Sequence, residues 1–191
     1  LLATYLFVTA KPPSEIALLG FAAGLAIAET LHSMGAADVA LKWPNDIMIA
    51  GAKAAGILID SGALQSGGAW AALASGVNIA AAPKAIDQPA RSLREALPMD
   101  AITPTAEAFF AALRPRLEAW AARLAIEGFE PIRRAWMARA LGLGVAARIM
   151  QGETMLEGRI AGLSPRGELE LDTTEGRRLI SAGDVYFSNA A

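Results

Sequence analysis

The sequence predicts an α/β (α+β) domain, in which a mixed sheet packs against helices, followed by a small all-β barrel of the SH3-like kind. Apolar runs with strand character are interleaved with long helical patterns as far as Ala140. After Gly142, short strand patterns alternate with turn residues. Hydrophobic residues make up 54% of the 191 residues and charged residues 19%, which is enough apolar material for a packed core. We therefore expect one domain over residues 1–140 and a second over residues 141–191.

One strand and one helix are predicted at the start of the chain. Residues 1–9 (LLATYLFVT) are apolar and include β-branched and aromatic residues, which favours a buried strand. Ser14 follows two prolines and is a suitable N-cap for a helix that runs to about Met34, where Gly35 provides the C-terminal cap. Four more strands follow, each bounded by turn residues. They span Val39–Trp43, Ile47–Ile49, Ala54–Asp60 and Ala69–Ile79.

Helices are predicted in the segment before the barrel. Ala80–Ile102 contains three prolines and is expected to be an irregular loop with at most short helical turns. Thr103 is a capping residue and Pro104 suits the first helical position, so a helix begins there and runs to about Ile126. A second helix, Pro131–Ala140, follows it. Five strands then form the barrel; they span Val145–Met150, Met155–Leu163, Glu168–Asp172, Arg178–Ser181 and Val185–Phe187.

The composition argues against several classes of site. The chain has no cysteine, so it forms neither disulfides nor a thiolate metal site. Its one histidine, His32, argues against a histidine metal cluster or a Ser-His-Asp triad within one chain. A net charge of −2 argues against a nucleic-acid partner. The most apolar segment, Ile16–Met34, is interrupted by glycine and polar residues, so we expect no membrane span and a soluble cytoplasmic protein.

A polar stretch between two apolar runs draws attention to Leu41–Asp60 (LKWPNDIMIAGAKAAGILID). Its two lysines, Lys42 and Lys53, have few other charges around them. The simplest interpretation is that both lysines are exposed at the ends of hairpins and that Trp43 belongs to the core. For an arbitrary lysine that interpretation would be preferred.

Three neighbouring features favour a binding site instead. Asn45 and Asp46 place an amide and a carboxylate at a turn beside the lysines. Gly56 interrupts the returning strand, which is typical where a ligand or another backbone comes close. Residues 76–78 (Gly-Val-Asn) repeat the combination of glycine and a polar residue in another strand. Lysines beside glycine-lined backbone suit an anionic, partly flat ligand.

The order of these motifs resembles the catalytic domain of biotin protein ligases, a family related in fold to lipoate ligases. "KWPNDIMI" and "KAAGILID" match the central signature of that family, and "ASGVNI" resembles its Gly-x-Gly-Ile-Asn strand. "LLATYLF" is similar to the segment after the family's Gly-Asn, and "ARSL" to its Ala-Thr-Ser-Leu segment. "GRIAGLSPRGELELDTTEGRRLISAGDV" looks like its SH3-like cap. The resemblance covers most of the chain and implies the biotin/lipoate-ligase-like fold.

The resemblance implies an ATP-dependent enzyme that activates biotin as biotinyl-5′-AMP and transfers biotin to a lysine of a biotin carboxyl carrier domain. Lys53 matches the family's essential lysine and would hold the biotin carboxylate and the α-phosphate, because this attack brings two negative charges together. Asp46 matches the aspartate of the motif, which would bind Mg²⁺ or orient the carrier amine. The implied cofactors are ATP and Mg²⁺, and biotin is the substrate.

The remaining polar candidates would hold substrates or enclose them. Asn45 and Asn78 would position nucleotide, metal or phosphate, and Lys42 would contribute a further substrate-binding cation. Trp43 would be a wall of the site or part of the core. The expected partners are biotin and the carrier domain, without nucleic acid or membrane, and a homodimer is an open alternative to a monomer.

Three small apolar positions would line the biotin slot: Gly56, Ile57 and Gly76. Two positions depart mildly from the family pattern. Asp60 replaces the more usual glutamate after Gly-Ile-Leu, and Ala74-Ser75 stands where glycine is usual.

A larger departure lies at the start of the chain. In the family, a Gly-Arg-Gly-Arg-x-Gly-Arg loop and biotin-gripping polar residues precede the segment that "LLATYLF" resembles. We therefore expect that the N-terminal part of the catalytic domain is missing, that the first strand lacks a sheet neighbour, and that the chain alone forms biotinyl-AMP slowly and binds biotin weakly. The alternatives are a catalytically weak or inactive ligase-like binding homologue, and a ligase for lipoate or octanoate.

Overall fold

A computed structural model describes residues 1–9, 13–84 and 88–187 of the chain and shows two five-stranded sheets with five helices. The strands of the first sheet are β1 (Leu2–Thr9), β2 (Val39–Lys42), β3 (Asp46–Ile49), β4 (Ala52–Ala63) and β5 (Ala69–Val77). The helices are α1 (Pro13–Ile16), α2 (Leu19–Ser33), α3 (Leu93–Ala96), α4 (Ala106–Glu127) and α5 (Phe129–Met137). The strands of the C-terminal sheet are β6 (Ala146–Gln151), β7 (Thr154–Leu163), β8 (Leu169–Thr173), β9 (Gly176–Ile180) and β10 (Asp184–Phe187).

The first sheet has the order β1-β5-β4-β3-β2, and each pair of neighbouring strands is antiparallel. The first sheet is therefore antiparallel, and the prediction of a mixed sheet is wrong on this point. Strands β1 and β2 run in the same direction and are joined through α2, but three strands separate them, so the helical crossover creates no parallel pair. Parallel pairing among the described residues is limited to two isolated bridges, Leu41 with Ala140 and Lys53 with Ala90.

The first strand has a neighbour, contrary to the sequence-based expectation. Strand β1 pairs with β5 over its whole length, from Leu2 opposite Gly76 to Thr9 opposite Ala69. Its other side is the outer edge of the described sheet, and the alternate residues Leu2, Leu6 and Val8 are largely exposed on one face of the strand. The sequence could not identify β5 as the partner, because about 60 residues separate the two strands and the apolar pattern of a strand does not specify its neighbour.

Helix α2 covers one face of the first sheet and is buried along most of its length. The predicted helix over residues 14–34 is divided in two, because a tight turn at Ala17 and Leu18 separates α1 from α2. Ser14 lies within α1 and so is not the N-cap of the long helix. Helices α4 and α5 pack on the outer side of α2. None of the helices among the described residues is long and apolar enough to cross a membrane.

The caps of the later helices differ slightly from the predicted ones. Thr105, rather than Thr103, caps α4 by accepting a 3.1 Å hydrogen bond from Ala108 N. The glycine break at Gly128 is confirmed, since its φ of +77° is a left-handed value that glycine adopts readily. Helix α5 therefore begins two residues before the predicted Pro131.

One short helix, α3, lies in the segment that was predicted to be a loop, and it is attached to Asn78 at the end of β5. Helix α3 begins with a capping box, in which buried Ser92 accepts from Glu95 N at 3.3 Å and donates its hydroxyl to the Glu95 carboxylate at 2.8 Å. Hydrogen bonds from the Ser92 backbone and side chain lower the pKa of Glu95. The cap fixes the entry to α3, where Leu93 N donates to Asn78 O.

Replacing Ser92 with alanine should destabilise the chain because the substitution removes this cap. We expect the free energy of unfolding to fall by about 1 kcal/mol in a urea titration at pH 7. The matched control is Ser66→Ala in the exposed β4–β5 turn, which should leave the stability nearly unchanged. Equal stability of the two variants would contradict a stabilising cap.

The C-terminal sheet contains the five strands that the sequence predicts, with ends shifted by up to two residues. Its order is β10-β6-β7-β8-β9 and its pairs are antiparallel. Its core residues are continuous with those of the first sheet; Ala147, Ile149, Ile160, Leu163, Leu169, Leu171, Ile180 and Val185 all belong to the main buried cluster. The two sheets are therefore packed against each other through one apolar core.

Candidate functional site

A cleft of about 1150 Å³ lies on the face of the first sheet that α2 leaves open. Strand register explains its floor, because residues directly opposite each other in neighbouring strands point to the same face. Leu2, Gly76 and Gly56 form one such row across β1, β5 and β4, and Thr4, Ala74 and Leu58 form the next row. The two glycines have no side chain, so the cleft reaches down to the backbone at that row, and the second row forms an apolar wall. All six residues line the cleft.

Lys53 extends from β4 to one end of this cleft. In a regular strand, Lys53 and Gly56 would point to opposite faces, because they are three residues apart. A β-bulge removes this alternation: Ile47 of β3 faces Ala55, but the next residue, Met48, faces Lys53. The extra residue in β4 places the lysine side chain over Gly56, where a Cβ atom would lie 3.3 Å from Lys53 Cε.

The Lys53 ammonium forms an ion pair with Asp46. Nζ of Lys53 lies 2.6 Å from Oδ1 of Asp46, and the two side chains are 38% and 11% exposed. Oδ1 is buried and forms no hydrogen bond of good geometry among the described residues, so the short contact is ionic rather than a well-directed hydrogen bond. Gly56 leaves room for the pair, since a Cβ there would lie 3.6 Å from this oxygen.

The main chain of Lys53 is fixed by the segment that follows the cleft. Its N–H donates to Pro89 O at 2.8 Å, and its carbonyl accepts from Arg91 N at 2.9 Å. The Asn78 amide donates to the carbonyls of Lys53 and Arg91, at 3.3 and 3.4 Å. Asn78 therefore lines the cleft as predicted, but its amide hydrogens already join two segments of the site.

Asn45 has a similar arrangement on the other side. The side-chain amide of Asn45 donates to Ile57 O at 2.8 Å, and the backbone carbonyl of Asn45 accepts from Ile57 N at 3.0 Å. These bonds attach the turn before Asp46 to β4. Ile57 borders the cleft through its backbone, whereas its side chain is buried, 3.9 Å from where a Cβ of Gly24 in α2 would lie. The predicted slot residue Ile57 therefore contributes main chain to the cleft and side chain to the core.

Lys42 is buried rather than exposed, which excludes the simplest interpretation of this lysine. Its residue exposure is 8%, and its Nζ lies 5.9 Å from the ring centre of Phe187 in β10. Burial lowers the pKa of Lys42, and the Lys53 charge lowers it further, whereas Asp46 and Asp184 raise it. A smaller, polar cleft of about 340 Å³ contains this group of four charges.

Trp43 belongs to the core between the two sheets. It is 4% exposed, and its indole Nε1 donates to Gly167 O of the C-terminal sheet at 3.1 Å. Of the two interpretations made from the sequence, the core role describes its ring, while its edge borders the small polar cleft.

Three residues near the candidate centre were not identified from the sequence: Gly167, Asp184 and Phe187. They follow the motif by more than 120 positions and lie in the C-terminal sheet. A lone acidic residue at the start of a short strand carries no sequence signal for a site. The described residues contain no group of three or more His, Cys, Asp or Glu side chains that could hold a metal ion.

Asp46 and Asp184 nevertheless fit a Mg²⁺ ion that arrives with a nucleotide. Mg²⁺ in nucleotide sites is commonly held by one or two carboxylates, with phosphate oxygens and water completing its ligands. Both carboxylates line the small polar cleft, and Asp46 Oδ1 contacts the Lys53 ammonium but accepts no well-formed hydrogen bond among the described residues. Such an ion would supply charge neutralisation for phosphate groups.

Comparison with known protein families gives two matches that cover separate parts of the chain. Residues 2–78 match the biotin/lipoate A/B protein ligase family, and residues 141–188 match the biotin protein ligase C-terminal domain. The first match contains the whole of the Lys53 and Asp46 pair. The second contains Gly167, Asp184 and Phe187.

Curated relatives extend the similarity over most of the chain. A biotin–[acetyl-CoA-carboxylase] ligase from Paracoccus denitrificans is 37% identical over 90% of this chain and 73% of its own length. A ligase of the same name from Mycobacterium tuberculosis is 30% identical over 87% of this chain and 61% of its own. The bifunctional ligase/repressor BirA of Bacillus subtilis is 25% identical, and the chain spans 54% of its length.

Solved structures show the same fold. The apo biotin protein ligase from Aquifex aeolicus superposes with a TM-score of 0.81, covering 98% of this chain and 83% of that chain at 20% identity. The complex of an Aquifex aeolicus biotin protein ligase with biotin and ATP gives a TM-score of 0.76, with 98% and 78% covered and 21% identity.

Proposed function

Because the chain belongs to the biotin protein ligase family, as its Lys-Trp-Pro-Asn-Asp motif indicated, we propose that it carries the centre where ATP activates biotin and biotin passes to a carrier lysine. Members of the family are ATP-dependent ligases. The observation that supports the assignment of the centre is the ion pair of Lys53 and Asp46, which lies where the large apolar cleft meets the small polar one.

The first step brings two anions together, and the positive charge of Lys53 lowers the repulsion between them. A carboxylate oxygen of biotin attacks the α-phosphorus of ATP, the bond to the bridging oxygen breaks, and pyrophosphate leaves. The side chain of Lys53 is 38% exposed, so its ammonium is available to both reacting groups and lowers the repulsion between them. Mg²⁺ bound with ATP would neutralise the phosphates beside Asp46 and Asp184.

The second step transfers biotin to an amine. The neutral amine of the carrier lysine attacks the acyl carbon of biotinyl-5′-AMP, AMP leaves, and the new amide nitrogen loses a proton. Asp46 lies within the small cleft from which an amine can approach Lys53, so its carboxylate can orient the amine and accept the proton. We assign Asp46 both this role and that of fixing the Lys53 ammonium.

The large cleft suits biotin, which is flat at its ring end and carries an anionic tail. Gly56 and Gly76 leave a flat floor, Leu58 and Ala74 form an apolar wall, and Lys53 is the one charged side chain among the described residues lining the cleft. Its volume of about 1150 Å³ is large enough for biotin together with part of a nucleotide.

The carrier domain of a carboxylase is the proposed macromolecular partner, and the cytoplasm is the proposed location. Two curated relatives are named for ligation to acetyl-CoA carboxylase. The name of the Bacillus subtilis relative includes a repressor role, but our proposal does not, because the net charge of −2 does not favour binding to nucleic acid. Homodimer formation stays a prediction, to be tested by sedimentation.

A biotin-dependent adenylation assay tests the proposal. The chain is incubated with ATP, Mg²⁺ and biotin, lipoate or octanoate, and the acyl-AMP product is identified by mass spectrometry. We expect biotinyl-AMP alone, formed slowly. Formation of lipoyl- or octanoyl-AMP instead would favour the lipoate ligase alternative, which the shared family match also includes. Biotin binding without any acyl-AMP would favour a binding homologue.

The affinity of the chain for biotin is expected to be low, with a dissociation constant above about 1 µM. The cleft is open along the exposed Leu2, and Lys53 is the one charged side chain in its described lining. A single charge-assisted hydrogen bond contributes roughly 1.5–3 kcal/mol, which is too little for tight binding. Isothermal titration calorimetry with biotin and with a non-hydrolysable biotinyl-AMP analogue measures this directly. Sub-micromolar biotin binding would contradict the prediction.

A further inference from the structure

The turn that holds Asp46 is contacted by the C-terminal sheet at two consecutive residues. Trp43 donates its indole N–H to Gly167 O, and Lys42 places its ammonium against the ring of Phe187. Both contacts are made by residues next to Pro44, Asn45 and Asp46. The C-terminal sheet therefore contacts the site without supplying either member of the Lys53 and Asp46 pair.

The turn that contains Gly167 is held in place by its own hydrogen bonds. Gly167 lies in the β7–β8 turn (residues 164–168), where buried Ser164 accepts hydrogen bonds from Arg166 N and Glu168 N at 3.1 and 3.2 Å. The Ser164 hydroxyl also donates to the Glu168 carboxylate at 2.9 Å. This network fixes the turn, so the carbonyl of Gly167 presents a preorganised acceptor.

A side chain at Gly167 would be both strained and crowded. Its φ of +82° lies in the left-handed region, and a Cβ atom there would lie 2.8 Å from Cε2 of Phe21. Phe21 cannot move away easily, because its ring packs edge-on against Phe129 and Trp136 with centroid distances of 5.2 and 5.6 Å. A side chain at Gly167 would therefore push the β7–β8 turn away from Trp43.

The first sheet holds the other end of the same turn. Asn45 exchanges two hydrogen bonds with Ile57, which lies next to Gly56 beneath the Lys53 ammonium. The turn is thus fixed at Trp43 by the C-terminal sheet and at Asn45 by β4. Asp46 follows immediately, and its 2.6 Å contact with Lys53 depends on the placement of both ends.

We propose that the C-terminal sheet is a positioning element for the reaction centre, acting through Gly167 on Trp43 and through Phe187 on Lys42. Gly167 and Phe187 touch no reacting atom in this scheme. They hold the turn that orients Asp46 and Lys53, and misplacing reacting groups by about 1 Å can cost as much as 10²-fold in rate. The inference rests on the proposed function, because the rate that it affects is that of adenylation.

Gly167→Ala tests this role against a matched control in the same sheet. Gly176 also has a left-handed φ, +114°, but a Cβ there would meet no atom within 4 Å. Gly176→Ala therefore introduces similar backbone strain without a contact across the two sheets. We compare the turnover number for biotin-dependent ATP–pyrophosphate exchange, its KM for biotin, and amide and indole hydrogen exchange, all well below the unfolding temperature.

Gly167→Ala should lower the turnover number by about tenfold with KM nearly unchanged, whereas Gly176→Ala should stay within about twofold of the parent. The Trp43 indole hydrogen and the Ile57 amide should also exchange about tenfold faster in Gly167→Ala alone. If Gly167→Ala does not fold, Phe187→Leu is compared with Tyr186→Leu, whose side chain is exposed on the same strand.

Equal effects of the two substitutions in either pair would overturn the positioning role. If the parent chain shows no ATP–pyrophosphate exchange, the proposed function fails, and hydrogen exchange still decides this inference. Faster exchange at Trp43 and Ile57 in Gly167→Ala, but not in Gly176→Ala, would then support the structural link. Unchanged exchange at both residues would refute it.

Discussion

Lys53→Ala should lower the rate of biotinyl-AMP formation by about 10²–10³-fold while leaving the fold intact. The ammonium lies at the end of the large cleft, held over Gly56 by the β-bulge and paired with Asp46. It is the one charged side chain in the described lining of that cleft, so alanine removes the side-chain cation that would stabilise the carboxylate and the α-phosphate as they meet. Single-turnover formation of labelled biotinyl-AMP measures the rate, and circular dichroism monitors the fold.

Lys84→Ala is the matched control for this substitution. Lys84 is exposed, and it lies outside the lining of both clefts. The control should retain the parent rate. A Lys53→Ala rate within about twofold of the parent would return Lys53 to the interpretation of an ordinary hairpin lysine.

The candidate residues of the site could be named from the sequence because the signature that they belong to lies in one stretch, Leu41–Asp60. The resemblance gave Lys53 and Asp46 separate roles, and the structure brings their side chains to 2.6 Å. The reason for that proximity was not visible. A β-bulge is a property of strand register, and the alternation of apolar residues does not specify where one extra residue enters a strand.

Contacts between distant segments could not be predicted in the same way. The pairing of β1 with β5 joins residues that are 60 to 74 positions apart, and the Trp43 hydrogen bond to Gly167 spans 124 positions. Neither contact has a sequence signature, because a glycine carbonyl can accept a hydrogen bond from many donors and an edge strand can pair with many other strands. The antiparallel order of the first sheet was missed for the same reason: the sequence predicts a strand, a helix and another strand in succession, but not the three strands that lie between β1 and β2 in the sheet.

Asp46→Asn is the second substitution with a large expected effect. Asparagine keeps the shape of the side chain but removes the charge that lies 2.6 Å from the Lys53 ammonium. The structural alternative is an Asx-turn, in which asparagine serves as well as aspartate. Asp46 Oδ1 has no hydrogen-bond partner among the described residues, which favours the ionic role. We therefore expect about 10²-fold slower adenylation in a single-turnover assay.

The control for Asp46→Asn is Asp60→Asn in the neighbouring strand β4, because Asp60 is exposed and its carboxylate accepts a 2.8 Å hydrogen bond from the adjacent Ser61 N. Raising Mg²⁺ separates a metal-binding role of Asp46 from its role in holding the Lys53 ammonium. Partial recovery would indicate a weakened metal site, and no recovery would indicate that Lys53 has lost its ion-pair partner.

Combining Asp46→Asn with Lys53→Ala gives a third test. If Asp46 acts through Lys53, the double variant should be no slower than Lys53→Ala alone, because the interaction is already lost. Multiplicative losses would instead show that Asp46 acts independently of Lys53, and parent-like rates in Asp46→Asn would show that the aspartate serves only the turn.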